Sequence, residues 1–503
     1  MTSTPRWAAR CYAACQRAAD RAEERRARVV VIGVPLVVVM LSTVALVVLQ
    51  SFPNSGDEYT YLYQAATMAE GRLSNPAASL PAYFDTYYIA QQPTRTFGTF
   101  PFGWPLLLSL ALDAGVPAAL VNPVLGAVTV WLLYVFGRAL YGARVGMLSA
   151  ALLAVSPFFV FNAASYFSHA WCGCLLLGAA CCAIRAVRGH AALAVVVGLL
   201  VGWAVMSRYL PGALIGVAIV AWMWRQAPAR SWLLLGLVAL GGAPWVVALA
   251  GYNAVLSGSP WTLTTRPETV SLWFADRVLL RGPDILATQI LAWLLWMPPT
   301  LAFVYALALR RQRGAAPPAL SAPSGRHPEF AWLLAVTAGV MLFYVNRGGN
   351  QYGPRFYYEA TLFALPAIVA RLFAEPSFDA KPPRERRLWY AALAGMACVP
   401  VMFAVHLTNA WVIVRERQMP YEAVAQARLD HAIVLLAGRI GRRRSMDARD
   451  LVRNDFGFAN PVLYARETAA NPCAITAAFP GRAVYRYAWK AAEGRGALVR
   501  VGC

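Results

Sequence analysis

The sequence predicts an all-α polytopic membrane protein of about eleven transmembrane helices, with a small C-terminal α/β domain on the extracytoplasmic side. Three observations predict it. Of 503 residues, 59% are hydrophobic and only 14% are charged, where soluble domains carry about a quarter charged residues. Apolar stretches of near-bilayer length recur between residues 29 and 414. From residue 415 the composition turns to that of a small soluble unit.

Residues 1–28 form a basic arm, Arg-rich from Arg17 to Arg28, that reads as cytoplasmic. The apolar run that follows, 29–48, is too long for a signal-peptide core and lacks a small-residue cleavage site, so it reads as a retained signal anchor. Further runs lie at about 117–137, 144–162, 168–184, 191–206, 209–224, 231–250, 285–308, 329–345, 356–372 and 388–414, each near the length a bilayer needs. Residues 102–115 are too short to cross and are broken near their start by Pro101 and Pro105, which suits a re-entrant or interfacial helix. Together 29–414 make the membrane domain, with its first extracytoplasmic loop at 50–116.

Basic residues set the orientation. With the N-terminus inside, the inner loops hold Arg138 and Arg144, Arg185 and Arg188, Arg225 and Arg230. They also hold Arg310, Arg311, Arg313 and Arg326, then Arg371, Lys381, Arg384, Arg386 and Arg387, while the longer outer loops hold fewer. A net charge of +21 would suggest nucleic acid in a soluble protein; here topology explains it, and no nucleic-acid partner is expected. Residues 310–328 and 374–387 read as linkers rich in Pro, Ala and basic residues. No internal repeat of the kind found in inverted-repeat transporters is visible.

In the tail, 421–440 has helical spacing, with Ala425, Leu429, Ile433, Leu436 and Ile440 on one face. Residues 483–487 and 497–501 read as short strands. About ninety residues bury only a modest core, so 415–503 reads as an appendage resting on the outer loops. Of nine cysteines, only Cys473 and Cys503 fall on the oxidising side. That placement favours one disulfide between them, a free pair being the other reading.

The chemistry gathers where acids are scarce. Asp57 and Glu58 stand just beyond the first span, and paired carboxylates there can hold a divalent cation (Mg or Mn) or take a proton from a hydroxyl. They can equally be first-turn acids of a helix. The outer face also receives Tyr61, Arg95, His169, Arg208, Arg347 and Arg355. Arginines at a bilayer edge suit a phosphate head group through their planar fork of donors, and Tyr and Trp suit sugar rings. Each has a plainer reading: Arg208 and Arg355 as snorkelling span ends, His169 as a helix-end hydrogen-bonding residue, the tyrosines as an interfacial belt.

Asp57-Glu58 with Tyr61, Ala65 and Ala66 after a signal anchor resembles the first-loop motif of GT-C glycosyltransferases. The likeness is to the bacterial protein-mannosyltransferase-like and RgtA/B/C/D-like enzymes of glycosyltransferase family 39 type. The segment from Phe97 through Pro101 and Trp104 to Leu107 resembles their Pro-rich entry into the next hydrophobic helices. Tyr352-Gly353-Pro354-Arg355-Phe356-Tyr357-Tyr358-Glu359 resembles the segment that opens a late span. The resemblance covers about 29–375. It implies a bacterial inner-membrane enzyme with a polyprenyl-phosphate sugar donor, inverting transfer on the outer face, and an envelope glycan, lipid or protein as acceptor. It also implies Asp57, with Glu58 beside it, as the catalytic or metal-holding acid. Arg208 and Arg355 would then contact donor phosphate, with His169 near the donor. A second acidic pair in a later outer loop is missing, which leaves the metal open. A carrier or flippase for a lipid-linked substrate, and a non-catalytic assembly protein of the same fold, are the rival readings.

Overall fold

In a computed structural model of the chain, the described residues are 6–264, 275–297, 327–342, 351–440, 446–468, 472–490 and 494–503. Helix α1 (Arg6–Glu24) precedes α2 (Arg26–Thr43), which continues through a π turn at Val44–Val48. The first loop folds as α3 (Gly56–Ala69), a three-stranded antiparallel sheet and α4 (Gly103–Asp113). That sheet has β1 (Asn75–Pro76), β2 (Ile89–Gln91) and β3 (Arg95–Gly98) in the order β1-β3-β2. With 11 residues, α4 is about 16 Å long and too short to cross.

The bundle continues through α5 (Ala118–Tyr141), α6 (Ala143–Ala154), α7 (Pro157–Ala164), α8 (His169–Val187), α9 (Leu193–Ser207), α10 (Tyr209–Gln226) and α11 (Ser231–Ser257). It closes with α12 (Ala275–Trp296), α13 (Pro328–Ala331), α14 (Leu333–Leu342), α15 (Tyr358–Leu372) and α16 (Pro383–Gln426). Every described apolar run of the sequence is helical, but length separates them. Among the described residues five helices are long and apolar enough to cross a membrane, or six if the bent pair α6 and α7 is one span. That pair is bent by 65°, because Pro157 has no N–H to continue α6 and starts a new helix instead. The expectation of about eleven crossings therefore exceeds what helix length and composition show. Much of the 285–308 run, and the 310–328 linker up to residue 326, lie outside the described residues.

Burial identifies the solvent. In α2 the side chains of Val31, Ile32, Leu36, Val39 and Val47 are exposed, an apolar surface that only lipid would satisfy. In contrast α8 is buried over most of its length and forms the bundle centre. Helices α9 and α11 approach closely through glycine: a Cβ on Gly198 would land on the carbonyl oxygen of Val238, and one on Gly241 on that of Val195. Close backbone approach of this kind is how helices pack without a hydrophobic driving force.

The tail departs from its sequence reading in two places. Helix α16 runs unbroken through residue 414 to Gln426, so the boundary between membrane domain and tail falls inside one helix. The helix read over 421–440 then stops, and Ala432–Leu436 is a strand, β4. Arg428 and His431 have φ of 48° and 47°, left-handed turns that end the helix. All five residues of β4 are buried, and a strand covered on both faces shows a continuous apolar run with no diagnostic period. The short strands β5 (Arg439–Ile440) and β6 (Met446–Asp447) pair antiparallel with each other, whereas β4 joins β7 (Val462–Arg466), β8 (Ala483–Lys490) and β9 (Arg495–Arg500) in a sheet of order β7-β4-β8-β9. β4 is parallel to both neighbours, and β9 is antiparallel to β8. Both short strands expected from the sequence are present.

Cys473 and Cys503 are joined, 30 residues apart. Closing a loop of that length restricts the unfolded tail by about 3–4 kcal/mol in the chain-entropy account. Cys473→Ser with Cys503→Ser is expected to lower the tail's thermal unfolding by several degrees. Limited proteolysis across a temperature series would show this as earlier cleavage after residue 426, and an unchanged cleavage temperature would refute it.

Candidate active site

Ser55 caps α3, its side chain accepting from the backbone N–H of Glu58. This places Asp57 and Glu58 in the first helical turn, where the helix dipole favours anions. Neighbours in sequence, the two acids face different partners. Asp57 forms an ion pair with Arg355. Glu58 is 1% exposed, and its carboxylate accepts from the backbone N–H of Asn54 at 2.9 Å. Burial pushes its carboxyl up to about 7, against the pull of that hydrogen bond and of Arg355 and Arg417.

Arg355 is presented by the turn before α15. Gly353 has φ of 86°, and a Cβ there would also strike Phe158 and Trp296, so the turn requires glycine. The side-chain amide of Asn162 in α7 donates to Tyr352 O at 2.9 Å, and Tyr352 O–H accepts from Asn54 at 3.2 Å. Gln351 donates to Asn54 O at 2.9 Å. The turn is thereby tied to the segment that precedes Asp57. The Arg355 guanidinium stacks over Phe167 at 4.0 Å from the ring centre. Its Nε and Nη1 are buried and have no acceptor among the described residues.

Phe167 belongs to the break between α7 and α8. Asn122 donates to Ser165 O and Phe167 O at 2.6 and 2.8 Å, and Trp104 Nε1 donates to Tyr166 O at 2.9 Å. Ser168 and Tyr61 share a hydrogen bond of 3.1 Å between their hydroxyls, joining α3 to the start of α8. Burial raises the Tyr61 phenol to about 12, so Tyr61 is a hydrogen-bonding wall and not an acid at neutral pH. Next in the chain, His169 lies 3.4 Å from Glu359 and 3.3 Å from Arg208, and Arg208 Nε is 2.9 Å from Glu359 Oε1. Glu359 is fully buried, one helical turn beyond Arg355 on α15.

The structure thus brings Asp57, Glu58, Tyr61, His169, Arg208 and Arg355 to one place. Arg95 is elsewhere: it donates to Gln92 and to Val255 O, tying the first loop to the end of α11. Arg347 lies outside the described residues. Sequence reasoning placed Glu359 in the segment that opens a late span but gave it no role, although an acid inside an apolar run is itself a signal. It also missed the tail's contribution. Asp450 accepts from the backbone N–H of Gly56 at 2.9 Å and stands 3.4 Å from Arg417 of α16. Arg453 donates to Pro53 O at 2.6 Å and covers the Phe52 ring at 4.1 Å. The tail is therefore a clamp on the N-terminus of α3 as well as a body resting on the loop.

Asp450→Ala is expected to lower turnover about tenfold, since a lost helix-terminal acceptor costs about 1–2 kcal/mol and leaves Arg417 without its acid. Asp450→Asn keeps an acceptor oxygen and should keep most of the rate. Equal losses in the two variants, measured as steady-state turnover, would refute the hydrogen-bond account.

The local charges nearly cancel. Arg208, Arg355, Arg417 and Arg453 stand against Asp57, Glu58, Glu359 and Asp450. A proton on Glu58 tilts the balance positive, which suits an anionic ligand. Among the described residues no three His, Cys, Asp or Glu side chains converge as metal ligands.

A family model described as dolichyl-phosphate-mannose-protein mannosyltransferase matches residues 100–252, and a domain of unknown function matches residues 432–498. The chain is similar in structure to ArnT from Cupriavidus metallidurans bound to undecaprenyl phosphate. That match has 15% identity and a TM-score of 0.51, and covers 90% of this chain and 92% of that one. It is also similar to an oligosaccharyltransferase of Archaeoglobus fulgidus in complex with zinc and sulfate, at 15% identity and TM-score 0.39, over 75% of this chain and 53% of that one. No curated protein sequence matches the chain. At these identities the likeness to ArnT shows the fold, and the chemistry is argued from the residues.

Proposed function

We propose that this chain is a glycosyltransferase of GT-C type, a reading its partial family match and ArnT-like fold support, and that it transfers a sugar from a polyprenyl-phosphate donor to a hydroxyl or amine of an envelope glycan, lipid or protein. The observation that carries the reading is the pairing of Asp57 with Arg355, whose buried Nε and Nη1 have no acceptor among the described residues. Arg355 can then hold a donor phosphate oxygen while keeping Asp57 oriented.

In the proposed reaction the acceptor proton passes to the Asp57 carboxylate as the acceptor atom attacks the anomeric carbon. The bond from that carbon to the phosphate oxygen breaks, and the electron pair leaves with the polyprenyl phosphate. Attack from the face opposite the leaving group inverts the anomeric centre. Arg355, with Arg208 held by Glu359, stabilises charge that grows on the departing phosphate, the position where fixed donors contribute most. His169 lies in that second group as a hydrogen-bonding neighbour. The family resemblance would allow Mg or Mn at Asp57 and Glu58. The two carboxylates fit a shared cation poorly, since one faces Arg355 and the other the Asn54 backbone.

In this reading the protein resides in a bacterial inner membrane, N-terminus inside, with the site on the extracytoplasmic face. The shorter apolar helices cross as well, shielded by their neighbours. The test is the purified full chain in lipid vesicles supplied with radiolabelled polyprenyl-phosphate sugars and an envelope-lipid extract. Release of polyprenyl phosphate with label moving to acceptor is expected. Transbilayer movement of the intact donor without release would overturn the transferase reading and favour a carrier.

A further inference from the structure

Helix α1 separates its charges by face. At about 100° per residue, Arg6, Arg10, Arg17 and Arg21 fall on one side, and all four are exposed. The opposite side buries Ala8, Tyr12, Gln16 and Ala19. The acids nearest that buried side are spent on the bundle. Asp20 pairs with Arg144 at 2.8 Å, and Glu23 pairs with Arg138 at 2.9 Å while accepting from the Tyr134 hydroxyl at 2.6 Å. Glu24 alone remains with the arginines, among Arg17, Arg21, Arg25 and Arg28, all exposed.

Both ends of α1 are fixed at the level where spanning helices enter the bilayer. At its start, Trp7 contacts Tyr390 with ring centres 5.8 Å apart, and Tyr12 packs on Trp389 at 5.8 Å and Phe373 at 5.1 Å. Trp389 and Tyr390 lie where the apolar stretch of α16 begins, and paired Trp and Tyr of this kind mark a membrane interface. At its end, α1 passes after one residue into α2, whose apolar run begins at Val29. A helix of 19 residues, about 28 Å long, joined at both ends to that boundary lies along the membrane surface and does not project from it. Trp7 is 58% exposed, as an interfacial anchor would be.

We propose that the arginine face of α1 is a binding surface for anionic phospholipid head groups of the bilayer that holds the protein. Guanidinium forks match phosphate oxygens in pairs, and a surface helix within a Debye length of anionic lipid gains from each added charge. The bundle neutralises Asp20 and Glu23 and so leaves the arginine side of the helix opposed by Glu24 alone.

The experiment uses the full chain reconstituted in phosphatidylcholine with about one-fifth phosphatidylglycerol, and compares spin-labelled forms of the two lipids by their motionally restricted fraction. The wild type is expected to restrict phosphatidylglycerol about three- to fivefold more than phosphatidylcholine, a preference that fades toward unity at about 0.5 M salt. A variant with Arg6, Arg10, Arg17 and Arg21 each changed to Gln should lose at least half of the preference, and the same four changed to Lys should keep most of it. Equal restriction of the two lipids by the wild type overturns the proposal, as does an undiminished preference in the Gln variant or its loss in the Lys variant. The wild-type salt titration stands as a separate test if the Gln variant does not fold.

Discussion

Asp57→Asn is expected to lower sugar transfer by about 10²–10⁴-fold, the span general-base catalysis usually supplies, while leaving donor binding within a few fold. The asparagine keeps the size and a carbonyl oxygen that can still accept from Arg355, so the turn before α15 should hold its place. What disappears is the site that receives the acceptor's proton. Glu58 cannot stand in, because its carboxylate is 1% exposed and committed to Asn54. Glu58→Gln is accordingly expected to be the milder change, since a neutral side chain relieves a buried carboxyl. The comparison is made by single-turnover transfer with saturating labelled donor, alongside donor binding. If Asp57→Asn turns over like wild type, Asp57 is not the base. If Glu58→Gln is the more damaging of the two, the roles of the two acids are reversed.

The second large effect is expected at Arg355. Arg355→Gln removes the partner of Asp57, the guanidinium over Phe167 and the two buried N–H groups proposed to meet donor phosphate. Loss of one preorganised donor to developing charge costs about 10²–10³ in rate. Here donor affinity should weaken as well, since phosphate is present before and after the step. Arg355→Lys keeps the charge but not the planar fork or the ring contact, and should fall between. Arg95→Gln is the internal control. Arg95 is tied to Gln92 and Val255, so its loss should leave transfer within about twofold. Measuring donor dissociation and single-turnover rate separately decides the matter: a rate effect with unchanged affinity would place Arg355 on Asp57 alone, and neither effect would remove it from the site.

The sequence exposed the parts of this site that stand next to a membrane boundary. Asp57 is conspicuous because acids are few and a long apolar run ends just before it. Arg355 is conspicuous because Gly353 and Pro354 announce a turn at the head of an apolar segment. The disulfide and strands β8 and β9 were legible for similarly local reasons. What escaped depends on distance along the chain. Glu359 reads as the first acid of a span, and only the fold shows that it gathers His169 and Arg208. Nothing near Asp450 hints that its oxygen meets the backbone of Gly56. Ala432–Leu436 was misassigned because a strand buried on both faces lacks the alternation that would distinguish it from a helix. Helix length and composition mark five or six crossings among the described residues, because composition marks an apolar helix but not its straightness or length, as the bend at Pro157 shows.

The clamp at Gly56 spans 394 residues of sequence, and that separation has a consequence for biogenesis. At synthesis rates of about 5–20 residues per second, roughly 20–80 s pass between delivery of the first loop and delivery of the tail. For that interval the helix carrying Asp57 exists without Asp450 and Arg453. The nascent chain therefore passes most of its membrane insertion with the start of α3 unclamped. A ribosome that stalls, or a protease that cuts, before Asp450 leaves an inserted protein whose first loop lacks its clamp.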